Sequence, residues 1–343
     1  MTIAQSEETR GRSPAGIHRV LVTGGAGYIG SHFVKALGEA WDAEITVLDN
    51  LSTGRREAVW LGRLVEMDLA DRAGVERLLH QGKFDAIVHF AASIVVPESV
   101  ADPLKYYDNN TAGTIGLVRA ALREGVRHFV FSSTAAVYGT PRRLPVGETA
   151  PLLPINPYGW SKRMNEQVLR DAAAADPRFT CAVLRYFNVA GANSGGRLGQ
   201  SGPQSTHLIK VAAEAACGKR KRVDIFGTDY PTPDGTCVRD YIHVDDLADA
   251  HLLALDRLAG GTPFLTLNCG YGRGHSVREV IAAMKEVSGV DFPVNESARR
   301  PGDPAVLVAG NRQIRRALGW RPRYDDLRFI CRTAYEWERR LPR

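Results

Sequence analysis

Short apolar, β-branched runs alternate along the first half of the chain with longer amphipathic stretches. HRVLVT (18–23), EITVLD (44–49), RLVEMD (63–68), DAIVHF (85–90), RHFVFS (127–132) and TCAVLRYF (180–187) are the runs. Consecutive apolar residues, rather than strict alternation, mark strands covered on both faces. The stretches between them predict helices from about Tyr28, near 71–81, over a long span near 103–124, and from about Tyr158. Strand and helix in turn imply an α/β domain with a doubly wound parallel sheet of the Rossmann kind, over residues 18–190.

Beyond Gly191 the texture shifts to short runs and loops rich in glycine and proline, such as GANSGGRLGQSGPQ and GTDYPTPDGT. A smaller C-terminal α/β lobe over 191–343 is therefore expected. DYIHVDDLADAHLLAL reads as a strand feeding a helix at 244–258, so segments near 238–260 are expected to return to the first domain. The opening residues 1–17 carry charges and no apolar stretch, the pattern of a disordered tail, and no later run reaches the ~18 apolar residues of a spanning helix.

Composition narrows the picture only a little. A chain of 343 residues can bury a large core without cross-links. The net charge of +6 raises nucleic acid as a partner, but bases alternate with acids except towards the C-terminus and no nucleic-acid module is present. An anionic small substrate or a solvated basic surface accounts for the charge, and no nucleic-acid or membrane partner is expected. Five scattered cysteines without a CxxC pair indicate neither a disulfide framework nor a metal site and fit a reducing cytoplasm.

Chemistry enters with VLVTGGAGYIGSH, where Gly24, Gly27 and Gly30 stand between a strand and a helix. The first permits a tight turn, the second lets backbone approach a pyrophosphate, and the third allows close helix packing. Asp49 ends the next strand, where a carboxylate accepts from ribose hydroxyls and repels a 2′-phosphate, favouring NAD over NADP. Arg55 and Arg56 lie close enough to leave that preference open. Tyr158 and Lys162, in PYGWSK, share one helix face at i and i+4. Bringing a phenol from a pKa of about 10 down by about 3 pH units takes about 4 kcal/mol. One ammonium at ~4 Å in an effective dielectric of ~20 supplies that much. Alone, such a pair is more often a surface feature.

GxxGxxG followed by SSTAAVYG and YxxxK resembles the extended short-chain dehydrogenase/reductase family. Within it the chain is most similar to the UDP-glucose 4-epimerases, through TGGAGYIGSH, DNLSTG, HFAA, YYDNN, FSSTAAVYG, NPYGWSK, LRYFNVAGA, FGTDYPTPDGTCVRDYIHV and RRPGD. The resemblance implies that Tyr158 is the general acid/base, that Lys162 lowers its pKa, and that Thr134, or less favourably Ser133, orients the substrate oxygen. It implies NAD contacts also at Tyr28, Ile29, Asn50, Asp68, Leu69, Phe90, Ala91, Ala92, Asn109, Ser132 and Phe187. It places UDP on Asn188, His207, Leu208, Phe226, Arg239, Arg300 and Asp303, with Leu307 bordering the C2 substituent of the sugar. The related dehydratases carry an Asp-Glu pair where Ala135 and Ala136 stand, so elimination loses its acid and base.

The implied activity is reversible C4 epimerisation of a UDP-hexose through a 4-keto sugar with bound NAD, in a homodimer built through the helices near 103–124 and 158–175. Two departures stand out. Ile94 replaces a lysine some epimerases place near the cofactor phosphates, and Leu307 is neither the tyrosine nor the very small residue of better-known members. Epimerisation of UDP-N-acetylhexosamines, UDP-pentoses or UDP-uronates, net reduction of a nucleotide sugar, and a silent NAD-sensing protein stay open at this point.

Overall fold

The valines and leucine of RVLVT form the central strand. In the computed structural model, which describes residues 11, 13–14, 16–202, 205–300 and 303–342, β1 (Arg19–Thr23) is followed by β2 (Glu44–Asp49), β3 (Arg63–Glu66), β4 (Ala86–His89), β5 (His128–Thr134) and β6 (Thr180–Tyr186). These pair in parallel in the order β6-β5-β4-β1-β2-β3. The helices between them are α1 (Tyr28–Ala40), α2 (Arg72–Gly82), α3 (Val96–Ala101), α4 (Pro103–Tyr106), α5 (Gly113–Arg123) and α6 (Pro157–Ala175). Alternate strand residues enter different cores: Val20, Val22, Val88 and Val130 pack with α1, whereas Leu21, Ile87, Phe129 and Phe131 pack with α2 and α5. Among the described residues no helix is long and apolar enough to cross a membrane.

The C-terminal lobe opens with β7 (Asn188–Ala190), α7 (Leu208–Ala216), β8 (Val223–Phe226), β9 (Val238–Arg239) and β10 (Tyr241–His243). Next come α8 (Val244–Ala259), β11 (Phe264–Cys269), β12 (His275–Ser276), α9 (Val277–Ser288), β13 (Val294–Ser297), β14 (Val306–Leu307), α10 (Arg312–Leu318) and α11 (Leu327–Arg340). Among the described residues β10 pairs only with β7, α8 adds its apolar face to the α1 core, and β11 becomes the seventh strand of the main sheet beside β6.

Two expectations change. Of the opening residues, 1–10 lie outside the described ones, but Ile17 is fully buried, Gly11 bridges to Trp41, and Arg127 Nη2 donates to the Gly16 carbonyl at 2.7 Å. The packed chain thus begins before residue 18. The long helix near 103–124 is interrupted by a π turn at Tyr107–Ala112. Its Asn110 carbonyl accepts from Thr114 Oγ1 at 2.6 Å and from Asn165 Nδ2 of α6 at 3.0 Å, so side chains stabilise the extra residue.

Candidate active site

The C-terminal ends of β1 and β4 meet where the strand order reverses, the usual ligand crevice of such a sheet. Gly24 turns the chain there with φ +72°, and an added Cβ would stand 2.6 Å from Ala91 N, so the turn lies directly on the Phe90–Ala91 backbone. Gly30 packs equally close, 2.2 Å from the Gly24 carbonyl for an added Cβ. Gly27 caps α1 without a side-chain hydrogen bond, which leaves the first N–H groups of a 13-residue helix to a ligand. Asp49 shapes the loop from behind: its carboxylate accepts from Ala26 N and Leu51 N, each at 2.9 Å, with lone pairs to spare. This cradle, with free amides facing the crevice and an acid at its end, fits the pyrophosphate and adenosine ribose of a dinucleotide.

Around the turn, Tyr28 donates its hydroxyl to the Gly191 carbonyl at 2.6 Å, and Ile29 is partly buried against the α1 core. Asn50 Nδ2 donates to Asp68 Oδ2 at 2.7 Å, beside the partly buried Leu69. The Phe90 ring turns inward onto Phe33 and His251, so that residue and the following Ala91 and Ala92 offer the crevice chiefly backbone and methyl groups. Arg55 and Arg56 are paired with Glu57 and Glu66, which engages both cations that had left a 2′-phosphate open. Asn109, on the π turn, donates to Ser93 Oγ at 3.0 Å.

Tyr158 and Lys162 project from the first turns of α6, whose start is fixed by Pro157 and by Asn156, whose side chain accepts from Gly159 N at 2.8 Å. Tyr158 meets the Tyr106 ring edge to face at 6.4 Å, with the Thr134 side chain close enough to favour its phenolate. Lys162 is 2% exposed and donates to the Ser132 carbonyl at 2.8 Å. Successive β5 residues face opposite ways. Ser132 and Thr134 therefore face one side, with Ser132 Oγ on the Tyr186 hydroxyl, whereas Ser133 faces the other and donates to Glu166.

The electrostatics differ from the sequence expectation. Burial pushes the Tyr158 phenol above its usual 10, and the nearby Thr134 side chain opposes this. Burial also brings Lys162 down to about 7, against the pull of Glu166. Both side chains sit in one desolvated layer that penalises each charged form, and the ammonium is aimed at the Ser132 carbonyl.

In the second lobe, the Arg300 guanidinium stacks 3.7 Å from the Phe226 ring centroid, and Arg239 Nη2 approaches Asp303 Oδ1 at 3.4 Å. Leu307 is the register partner of Arg239 and shares a buried cluster with Phe187, Ala135 and Tyr138. Tyr186, Phe187 and Asn188 therefore bridge the halves: the first holds Ser132, the second packs on Leu307, and Asn188 N donates to Asp240 O at 3.0 Å. His207 and Leu208 stand at the start of α7, with His207 Nδ1 2.9 Å from Gln200 Nε2. Sequence reasoning missed Tyr106, Tyr186, Glu166 and Arg185; the last two look like surface charges in a linear reading.

Residues 20–270 match the NAD dependent epimerase/dehydratase family, and the chain belongs to that family. Among its relatives the UDP-glucose 4-epimerase of Azospirillum brasilense is 57% identical over 324 residues, 94% of this chain and 92% of that one. The UDP-Glc/GlcNAc 4-epimerase structure from Campylobacter jejuni is 54% identical with a TM-score of 0.82, covering 94% of this chain and 100% of the other. The UDP-glucose 4-epimerase of Brucella ovis, solved in complex with NAD, is 44% identical with a TM-score of 0.91, covering 94% and 98%. The resemblance read from the motifs is borne out.

Proposed function

We propose that this chain interconverts UDP-glucose and UDP-galactose by inverting the C4 hydroxyl with NAD held at the glycine turn. The observation that carries this reading is the α6 face on which Lys162, one turn from Tyr158, donates to the Ser132 carbonyl of β5, in the same sheet as the glycine turn and with alanines at 135 and 136. NAD, which the Gly24–Gly30 turn and Asp49 would hold, would supply the acceptor and donor of the C4 hydride and a positive ring favouring the phenolate that burial opposes.

The residues do the rest. Thr134 hydrogen-bonds the C4 oxygen and fixes it on Tyr158, whose oxygen removes the C4 hydroxyl proton and later gives it back. Lys162 supplies a fixed positive charge one turn away and a donor for the nicotinamide ribose. Arg239 and Arg300 hold the diphosphate while the keto sugar turns, because paired guanidinium donors match phosphate oxygens. Asp303 accepts from the uridine ribose, Phe226, His207 and Leu208 line the base, and Asn188 contacts the diphosphate. The absence of carboxylates at 135 and 136 removes the elimination route.

A second copy of the chain completes the reading. Val100 and Leu104, beside Trp160 and Met164 on α6, are exposed apolar side chains on helices that pack together, and they suit a homodimer. The five cysteines are unpaired, in keeping with a cytoplasmic setting. Purified protein given UDP-galactose and no added cofactor should form UDP-glucose; a stoichiometric demand for nicotinamide would point to a net reductase instead.

A further inference from the structure

One turn beyond Lys162, the buried face of α6 carries a second charge. Glu166 is 4% exposed, and its carboxylate accepts from Ser133 Oγ at 2.5 Å, from Arg185 Nε at 2.9 Å and from Arg185 Nη2 at 2.5 Å. Arg185, 2% exposed on β6, also donates from Nη1 to Tyr138 Oη at 2.9 Å and to the Glu148 carbonyl at 3.2 Å. Two consecutive residues of β5 thus bind the two α6 charges: the Ser132 carbonyl takes Lys162 and the Ser133 hydroxyl gives to Glu166.

A buried ion pair adds little net stability, because desolvation offsets the attraction. This pair is placed where its anion acts on an ammonium. The other titratable groups near Lys162 are Tyr158 on its own helix, His89 on β4, kept neutral by burial with a pKa of about 3, and Arg185 and Tyr186 on β6. None of them offers a carboxylate.

We propose that Glu166 is a positioning residue for the catalytic pair: clamped by Arg185 and Ser133, its carboxylate keeps the Lys162 ammonium charged while Tyr158 gives up its proton. Burial alone brings Lys162 down, and Glu166 is the group that opposes it. Removing the carboxylate charge also leaves the Arg185 guanidinium unbalanced in the same layer. Both changes disfavour a second buried cation, so they act in the same direction.

The inference rests on Tyr158 and Lys162 being the working pair, and the test separates the two. Lysine labelled with 13C at Cε lets the Lys162 signal, identified by its loss in Lys162→Arg, be titrated without turnover. In Glu166→Gln its midpoint should fall by about one pH unit or more, which at pH 7 lowers the charged fraction, and with it epimerisation, roughly fivefold. The alkaline fall of the rate profile should move to lower pH by the same amount. Glu166→Asp, which keeps the charge, should hold the profile near the wild-type position. The double variant Glu166→Gln/Arg185→Met should place the Lys162 midpoint between the single variant and wild type. If the single variant fails to fold, the double decides: a midpoint below wild type supports the role, an equal one overturns it. An unmoved Lys162 titration in Glu166→Gln, or an equal loss of rate at every pH in both the Gln and Asp variants, also overturns it.

Discussion

Replacing Gly30 by alanine should separate the cofactor cradle from the rest of the fold. The added methyl would stand 2.2 Å from the Gly24 carbonyl oxygen and 2.8 Å from Gly25 Cα, where ordinary contact begins at 3.4 Å. The shortfall is about 1.2 Å against the oxygen, and both neighbours are backbone, so no side chain can swing aside. Crowding of this kind costs about 1–3 kcal/mol of stability, and the relief open to the chain is to lift the start of α1 off the turn. A shift near 1 Å lengthens the hydrogen bonds from the α1 amides to a pyrophosphate. Losing one such charge-assisted bond, worth roughly 1.5–3 kcal/mol, weakens cofactor binding ten- to hundred-fold. The assay is NAD released per chain on heating the purified protein, with Gly147→Ala as the control, since no atom lies within 4 Å of its added Cβ. Full NAD retention in Gly30→Ala, equal to that control, would refute the packing argument.

Three further outcomes follow from the same geometry. Burial holds His89 at about 3 rather than 6.5, so below pH 6.5 the unfolded chain takes up a proton that the native chain refuses, and stability is lost as pH falls towards 3. At about 1.4 kcal/mol per pH unit for each such group, the urea midpoint of wild type should drop between pH 7 and 5, and His89→Gln should show a shallower drop. Arg239→Gln should raise KM for the UDP-sugar roughly ten- to hundred-fold in initial-rate measurements while sparing kcat, because the lost guanidinium bonds hold the diphosphate equally in ground and transition states. Leu104→Glu with Trp160→Glu places charges on the exposed apolar side chains of α4 and α6 and should turn a dimer into a monomer by sedimentation.

The first domain was legible because its signals are local. RVLVT, the glycine turn, EITVLD and the helix between them lie within one stretch of chain, and the structure forms them as β1, α1 and β2. The seventh strand was not, since FLTLNC at β11 reveals a strand but not that it pairs with β6, about 80 residues earlier. The π turn escaped because nothing in YDNNTA sets it apart from an ordinary polar helix turn, and only the Asn165 side chain from another helix reveals where the extra residue is held. That Ser133 and Thr134 face opposite ways needed only strand alternation, once β5 was known to run through Thr134. Nothing in one dimension marks Glu166 and Arg185 as partners, and only the packing of α6 on β6 reveals that they are buried together.

In the proposed reaction every turnover passes a proton through the Tyr158 oxygen. Tyr158→Phe keeps the ring that meets Tyr106 and removes only the hydroxyl, so fold and cofactor cradle should persist. With UDP-galactose as substrate, the variant should retain bound NAD and lose epimerisation at least a thousandfold, roughly the upper part of what a positioned acid/base contributes. Epimerisation at the wild-type rate by Tyr158→Phe would contradict the account.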